Sequence, residues 1–216
     1  MVRDVGIARI KVCGLRGIED LPTPIPTALD AVGFVGWSRS KRCVTPTQAA
    51  RVVERLPAHI VPVAVLVEPS PDEARRWLAE SQCRALQLCG YETANDWVGF
   101  PHPILRRIAV DQHALEELWA WNTIAAAFVL DHPDSPGGTG LAVDASLARE
   151  IALHSTCLLA GGLSALDVAE RTRLVRPHGV DASSRLEGPD GRKDPELVRA
   201  FIAAADSALR RVETTR

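Results

Sequence analysis

Short apolar runs alternate along the chain with longer stretches in which apolar residues recur at helical spacing. We identify eight such runs, which are rich in Val, Ile, Leu and Ala. Most of them are apolar throughout, as is typical of parallel strands that are covered on both faces. The predicted strands are residues 8–13, 31–36, 61–67, 85–89, 105–110, 126–130, 157–160 and 179–182.

Three of the intervening stretches open with the signal of a helix N-terminus. Thr45, Ser70 and Asp194 each stand directly before a proline, and apolar residues follow at helical spacing. Ser, Thr and Asp side chains cap the first turn of a helix, and proline fits the first helical position because it needs no hydrogen-bond partner there. The pattern therefore predicts helices that begin at residues 46, 71 and 195.

Strands that alternate with helices predict βαβ units and a parallel sheet. Eight strands favour closure into a (β/α)8 TIM barrel, a fold that takes about 250 residues and sometimes about 200. The 216 residues then form one compact barrel domain over residues 1–216. A doubly wound open sheet is the competing fold, but it has about five or six strands, and no G-x-G-x-x-G motif follows the first run here.

The connection between the first two strands departs from this pattern. Pro22, Pro24 and Pro26 occupy alternate positions in it. Each proline lacks an N–H donor and disfavours the helical conformation of the residue before it. We therefore predict that the first barrel helix is lost or truncated to a turn. This change is either a tolerated variation of the outer helical ring or an altered loop beside the active site.

Composition and charge limit the classes of partner. The 25 basic and 27 acidic side chains give a net charge of −2, so the chain lacks the excess of basic residues expected of a nucleic-acid-binding protein. No apolar run approaches the roughly 20 residues that span a bilayer, and the N-terminus has no signal-peptide pattern, which predicts no membrane association and a cytoplasmic location. The five cysteines include no C-x-x-C pair, which favours reduced thiols and no metal site.

Candidate reacting groups stand at the ends of two predicted strands, where (β/α)8 barrels carry their active sites. Cys13 ends the first run and Asp131 follows the sixth. A thiol acts as a base when cationic neighbours lower its pKa, and a carboxyl group acts as an acid when burial raises its pKa. Taken alone, each residue also has a structural explanation, as a small buried apolar residue and as a turn or cap residue. Their placement at strand ends favours a catalytic pair.

Small-residue loops follow the last two predicted strands, at Gly161-Gly162 and Ser183-Ser184. Barrels often bind phosphate with the loops after strands seven and eight. Backbone N–H groups in such a turn, or at the start of the following helix, bind an anion without a lysine. A Gly-Gly pair by itself is a weak signal, and it is more often only a turn.

Several motifs occur together in a fixed order along nearly the whole chain, from about residue 8 to about residue 205. In this order they resemble the phosphoribosylanthranilate isomerase family, a cofactor-free (β/α)8 barrel of tryptophan biosynthesis. The motifs are KVCGL at residues 11–15, DAVGF at 30–34, SKR at 40–42, QLCG at 87–90, GGTG at 137–140, AGGL at 160–163, GVDASS at 179–184 and KDP at 193–195.

The resemblance implies an isomerase that converts N-(5-phosphoribosyl)anthranilate into 1-(2-carboxyphenylamino)-1-deoxyribulose 5-phosphate by an Amadori rearrangement, with neither metal nor cofactor. It implies that Asp131 is the general acid, which protonates the furanose ring oxygen, and that Cys13 is the general base, which removes the proton from C2 of the sugar. It further implies that Arg42 binds the anthranilate carboxylate and that Asp181 lies beside the sugar hydroxyls. The phosphate would lie between Gly161-Gly162 and Ser183-Ser184.

The chain also departs from the family pattern on the side of the predicted active site. Cys89 and Tyr91 replace a histidine and an aspartate, Leu141 replaces a lysine, and Ala145 stands where an aromatic residue is usual. Arg185 replaces a glycine, and it would either add a charge at the phosphate or crowd its loop. We therefore include Cys89 and Arg185 among the candidate substrate-binding residues and expect unchanged chemistry, while these departures leave a changed substrate open as an alternative.

Two alternatives to phosphoribosylanthranilate isomerisation stay open at this point. One is a divergent homologue that rearranges a related N-ribosyl arylamine phosphate in a specialised pathway. The other is a non-catalytic barrel that binds a phosphorylated ligand or a partner protein. Under all three hypotheses, we expect the protein to be a monomer or a homodimer.

Overall fold

Eight parallel strands form a closed barrel in the computed structural model, which describes residues 8–133 and 142–214. Each strand pairs with the next along the chain and the last pairs with the first, which confirms the predicted (β/α)8 barrel. Every predicted run overlaps one strand to within two residues at either end. The strands are β1 (Ile10–Cys13), β2 (Ala31–Val35), β3 (Val61–Leu66), β4 (Ala85–Leu88), β5 (Ile104–Ala109), β6 (Ala127–Asp131), β7 (Cys157–Leu159) and β8 (Gly179–Ala182).

The described residues contain six α-helices, which pack around the outside of the barrel. None of the described helices combines the length and apolar character needed to cross a bilayer. The helices are α1 (Pro46–Val53), α2 (Pro71–Ser81), α3 (Ala114–Trp121), α4 (Ala145–His154), α5 (Val168–Val175) and α6 (Pro195–Glu213).

The three predicted helix starts are confirmed, and each has the expected cap. The Thr45 side chain accepts a hydrogen bond from the backbone N–H of residue 48, and the Ser70 side chain accepts one from that of residue 73. The Asp194 side chain accepts from the N–H groups of residues 196 and 197. Each cap satisfies N–H groups that have no partner within the helix, so the local sequence fixes where these helices begin.

The first βα connection holds no α-helix, as its prolines predict. A single 3-10 turn, Ile18–Asp20, follows β1, and the proline segment then leads to β2. The fourth connection, which the sequence analysis did not single out, is reduced in the same way to the 3-10 turn Ala94–Trp97. Pro101 and Pro103 disfavour helical conformation in the residues before them, so the signal for this second missing helix was present in the sequence.

The buried apolar side chains form two layers because successive side chains of a strand point to opposite faces. The larger layer lies between the barrel and its surrounding helices and turns. The smaller layer fills the barrel interior, and Cys13 and Cys89 lie at the end of this interior where the strands terminate. The other members of the interior layer are Ala31, Val63, Val65, Ala85, Leu105, Ala127, Val129, Leu158 and Ala160.

A buried carboxylate ties the shortened first connection to the loop before α6. Asp20 is 1% exposed and accepts hydrogen bonds from the backbone N–H groups of Arg16 and Gly17. Its other oxygen accepts two hydrogen bonds from the Arg192 guanidinium, at 3.1 and 3.0 Å. The tie holds the chain that leaves β1 against the chain that follows β8, although no α-helix lies between β1 and β2.

We expect the Asp20→Ala substitution to lower the free energy of unfolding by about 2–4 kcal/mol, because it leaves a guanidinium and two backbone N–H groups without their acceptor. Urea denaturation at pH 7 measures the loss. Glu19→Ala is the matched control: the Glu19 carboxylate binds the same Arg192 at 2.7 Å but is 63% exposed, so its loss should cost under about 1 kcal/mol. Equal losses in the two variants would contradict this account.

Candidate active site

The carboxyl ends of the strands surround an open pocket, which is where (β/α)8 barrels bind their small-molecule ligands. Apolar side chains form much of the pocket wall, among them Trp37, Val65 and Val129. Nine of the ten candidate residues line it: Cys13, Arg42, Cys89, Asp131, Gly161, Gly162, Asp181, Ser183 and Ser184. The tenth, Arg185, is exposed and does not line the pocket, so the structure does not bring this candidate to the others.

Cys13 is the last residue of β1, and its thiol lies in the barrel interior at the pocket floor. Gly33 on the adjacent strand makes room for it, since a Cβ atom at residue 33 would lie 2.7 Å from the Cys13 Sγ. Burial raises the pKa of the thiol, and the ammonium groups of Lys11 and Lys193 act in the opposite direction. The chemistry of this thiol therefore depends on the buried cations beside it.

Lys11 and Asp181 form an ion pair inside the barrel. They are paired residues of β1 and β8, and the Lys11 Nζ donates to the Asp181 Oδ2 at 2.8 Å. Burial alone would lower the pKa of Lys11, but the Asp181 carboxylate and the Cys13 thiol raise it above its usual value. Lys11 is therefore charged at neutral pH. The sequence analysis quoted this lysine only as part of a motif, although a lysine within an apolar strand was itself a signal.

Asp131 ends β6, three strands around the barrel from β1. Its Oδ1 accepts a hydrogen bond from the backbone N–H of His132 at 2.8 Å, and the Nε of Arg107 lies 3.8 Å from its Oδ2. Burial raises the pKa of this carboxyl group, and Arg107 and His132 oppose the rise. A raised pKa suits a general acid because more of the group stays protonated. Arg107, which β5 presents to the pocket, was missed in the sequence.

Arg42 is buried beside the pocket and held by Glu187. Its Nε donates to the Glu187 carboxylate, which also contacts the Nζ of Lys41 at 2.8 Å and the Nζ of Lys193 at 3.0 Å. Burial alone would raise the pKa of Glu187, but the contacts with the three cations lower it to about 2. The aliphatic part of Arg42 crosses Gly14, where a Cβ atom would lie 2.5 Å from the arginine Cδ.

Three buried polar atoms of the pocket lining have no hydrogen-bond partner within the described residues. They are Nη2 of Arg42, Oε1 of Gln87 and Oδ1 of Asp181. Buried polar groups in proteins are almost always hydrogen-bonded. These atoms are therefore candidates for contact with a bound molecule that offers both acceptors and donors.

The two small-residue loops lie next to each other because β7 and β8 are paired. Gly161 and Gly162 have φ angles of 82° and 65°, a conformation that glycine adopts without strain. The Ser183 hydroxyl donates to the backbone carbonyl of Cys13 at 2.9 Å and accepts from the Nζ of Lys193 at 3.3 Å. Lys193, which the sequence analysis quoted only in a motif, thus places a buried cation beside the predicted phosphate loops.

The wall of the pocket at the end of β4 carries a thiol and an amide but no charged side chain from this strand. The Gln87 Nε2 donates to the Cys89 Sγ at 3.3 Å, and burial raises the pKa of Cys89 to about 12, so this thiol is neutral at neutral pH. Tyr91 is 95% exposed and does not line the pocket, and neither does Ala145. Leu141 and the Gly-Gly-Thr-Gly loop lie outside the described residues.

The described ranges contain no group of three or more His, Cys, Asp or Glu side chains arranged to hold a metal ion. What the pocket does offer is a thiol, a carboxyl group, buried cations and two small-residue loops. The fold and the site together define a (β/α)8 barrel whose pocket places a thiol and a carboxyl group beside buried cations, which suits an anionic small molecule.

The family model for N-(5'-phosphoribosyl)anthranilate (PRA) isomerase matches residues 10–204, so the chain belongs to this family. The N-(5'-phosphoribosyl)anthranilate isomerase of Chromohalobacter salexigens is 35% identical over 206 residues, which cover 90% of this chain and 92% of the relative.

Solved structures of the family agree with the barrel. Monomers generated from the dimeric isomerase of Thermotoga maritima have a TM-score of 0.80 at 27% identity, with 93% of this chain and 100% of the other covered. A phosphoribosylanthranilate isomerase in complex with reduced 1-(o-carboxyphenylamino)-1-deoxyribulose 5-phosphate has a TM-score of 0.79, with the same identity and the same coverage.

The depressed pKa of Glu187 makes part of the stability depend on pH. A carboxyl group with a lower pKa in the folded state stabilises the fold above its unfolded pKa, and this contribution is lost as the pH falls towards about 2. Between pH 7 and pH 3, we expect the wild type to lose on the order of 2 kcal/mol more of its free energy of unfolding than Glu187→Gln loses. The reason is that the variant has no carboxylate to protonate at this position. Urea denaturation across this range measures it.

Glu116→Gln serves as the control for Glu187→Gln, because the Glu116 side chain is 86% exposed and should leave the pH dependence of stability unchanged. A Glu187→Gln profile parallel to that of the wild type would show that the three cations do not stabilise this carboxylate.

Proposed function

We propose that this chain catalyses the Amadori rearrangement of N-(5'-phosphoribosyl)anthranilate, with Asp131 as the general acid and Cys13 as the general base. The observation that carries the proposal is that both groups face one pocket from β6 and β1 in a chain that belongs to the isomerase family. The reaction needs one acid and one base around a bound sugar.

In the proposed first step, the protonated carboxyl group of Asp131 gives its proton to the furanose ring oxygen, and the C1–O bond breaks to form an open-chain Schiff base. In the second step, the thiolate of Cys13 removes the proton from C2, and the electron pair moves to the iminium nitrogen. The resulting enolamine tautomerises to the ketone. The raised pKa of Asp131 supports the first step, because the acid must carry a proton at the start.

The proposed orientation of the substrate uses the unpartnered atoms of the pocket. The Nη2 of Arg42 binds the anthranilate carboxylate, and the Oδ1 of Asp181 accepts from a sugar hydroxyl. The phosphate lies between Gly161-Gly162 and Ser183-Ser184, where the buried ammonium of Lys193 adds a positive charge. Arg185, exposed outside this lining, stays a candidate only for contact with the outer side of the phosphate loop.

A divergent substrate is the second candidate function, and the β4 wall is the observation that favours it. Cys89 presents a neutral thiol there, and the neighbouring Gln87 keeps an unpartnered Oε1. This surface suits an aryl group that differs from anthranilate and carries a hydrogen-bond donor. A cytoplasmic location, the absence of a nucleic-acid partner and a monomeric or homodimeric state stay predictions.

We expect Cys13→Ser and Asp131→Asn each to reduce kcat about 10²-fold or more, the range typical of general acid–base groups. Loss of the fluorescence of freshly made phosphoribosylanthranilate follows the reaction. The control is Cys43→Ser, which removes an exposed thiol that does not line the pocket and should keep the wild-type rate. Near-full activity in either pocket variant would refute the role assigned to that residue.

The same assay distinguishes the candidate functions when it is run with a series of N-ribosyl arylamine phosphates. Turnover of phosphoribosylanthranilate supports the first function, and turnover of a different aryl ribosylamine alone supports the second. Binding of these compounds without turnover of any of them would instead indicate a non-catalytic barrel.

A further inference from the structure

We propose that Lys11 is a positioning residue for the catalytic base: its buried ammonium stabilises the thiolate of Cys13, while Asp181 holds the ammonium in place. This inference deepens the proposed function, because it rests on Cys13 acting as the base. It assigns a role to a charged side chain that the proposed proton transfers do not otherwise use.

The geometry of the first strand brings the two groups together. Residues 11 and 13 of a strand point to the same side, so Lys11 and Cys13 share the barrel interior. The Lys11 side chain has no exposed surface, and one of its three N–H donors is given to Asp181 at 2.8 Å across the β1–β8 pair. The Cys13 thiol lies two residues along the same face of the strand, so the charge of the Lys11 ammonium acts on it. The lysine thus stands beside both the proposed base and a carboxylate of the same pocket.

The charged and titratable groups around Cys13 come from several elements. Lys11 on β1 and Lys193 from the loop before α6 favour the thiolate, whereas Asp181 on β8 disfavours it. Cys89 at the end of β4 also interacts with Cys13, but it is neutral at neutral pH. Burial strongly favours the neutral thiol, so a base at this position needs a nearby cation. Lys11 is the cation with the largest effect on Cys13.

A purely structural role does not explain why the barrel interior keeps this ion pair. The apolar side chains of the interior layer are mainly Ala, Val and Leu, and the polar Gln87, Arg107 and Asp131 lie on the pocket side. A buried ion pair is often no more stabilising than apolar residues of the same volume. The pair is also incompletely satisfied, since the Oδ1 of Asp181 has no partner within the described residues. An ion pair retained in these surroundings indicates a chemical role for its charges.

The test measures the titration of the Cys13 thiol directly, by the absorbance of its thiolate and by its rate of alkylation with iodoacetamide between pH 6 and pH 10. Both are recorded in a Cys43→Ser background, which removes the exposed thiol, and the signal of the matching Cys13→Ser protein is subtracted. We expect Lys11→Met to slow alkylation of Cys13 at pH 7 about tenfold or more, because each unit of upward shift in a thiol pKa removes about nine-tenths of the thiolate. Lys11→Arg, which keeps the charge, should restore part of the rate.

Removal of Lys11 alone leaves Asp181 buried without its partner, which destabilises the fold, so a second variant is needed that removes both charges. The double variant Lys11→Met with Asp181→Asn removes both charges and keeps similar side-chain volumes. It should show a smaller upward shift of the Cys13 titration, because the loss of the Asp181 charge offsets part of the loss of Lys11. Circular dichroism and urea denaturation report the integrity of the fold. A change of stability alone would leave the titration midpoint where it is in the wild type.

Kinetics provide the second measurement. The rise of kcat with pH that comes from deprotonation of the base should shift to higher pH in Lys11→Met. The loss of kcat relative to the wild type should then be largest near pH 7 and shrink towards pH 9, with KM little changed. An unchanged thiol titration in both the single and the double variant would overturn the inference. A shifted titration in a protein that turns over no aryl ribosylamine would instead uphold the role of Lys11 and refute the proposed function.

Discussion

The ion pair between Lys11 and Asp181 is the interaction on which the site depends, because it lies where the first and last strands close the barrel. The same contact that joins β1 to β8 sets the positions of Cys13, at the end of β1, and of Ser183, just after β8. A charge pair in a low-dielectric interior tolerates little displacement, since each partner is costly to leave unpaired. The charge pair therefore lies both at the closure of the barrel and beside the thiol whose charged form it is proposed to stabilise.

The segment after β8 extends this arrangement to the rim of the pocket. The Glu187 carboxylate forms ion pairs with Lys41, Arg42 and Lys193. The Arg192 guanidinium forms an ion pair with the buried Asp20, which follows β1. Both contacts anchor loops that follow the first two strands to the loop that precedes α6. In the first connection, which has only a 3-10 turn, these charged contacts act together with buried apolar side chains such as Leu21 and Leu29 to hold the chain against the barrel.

The sequence predicted the parts of this structure that local physical chemistry determines. Continuous apolar runs identified all eight strands, and the caps Thr45, Ser70 and Asp194 located three helix starts, because each signal lies within a few residues of the feature it specifies. The strand-end rule of barrels then placed Cys13 and Asp131 at one pocket.

What escaped prediction depends on contacts between residues far apart in the chain. The Lys11–Asp181 pair spans 170 residues and the Arg42–Glu187 pair spans 145, so nothing in the neighbourhood of either residue reveals its partner. Arg185 shows, conversely, that a residue next to a site residue in the sequence need not lie in the site. It follows Ser184 directly, yet the 3-10 turn Ser184–Leu186 leaves it exposed, and adjacency in sequence did not bring it to the pocket.

The proposed acid and base and the residues that depart from the family pattern at the pocket wall belong to different strands. Under the proposed mechanism, protons move at Cys13 and Asp131, on β1 and β6, whereas the altered wall belongs to β4. The Cys89 thiol, with a pKa of about 12, neither exchanges protons nor carries charge at neutral pH, so it changes the shape and hydrogen bonding of the wall and leaves the acid–base pair untouched. Under this mechanism, a change of substrate at β4 would leave the proposed base on β1 and the lysine beside it in place.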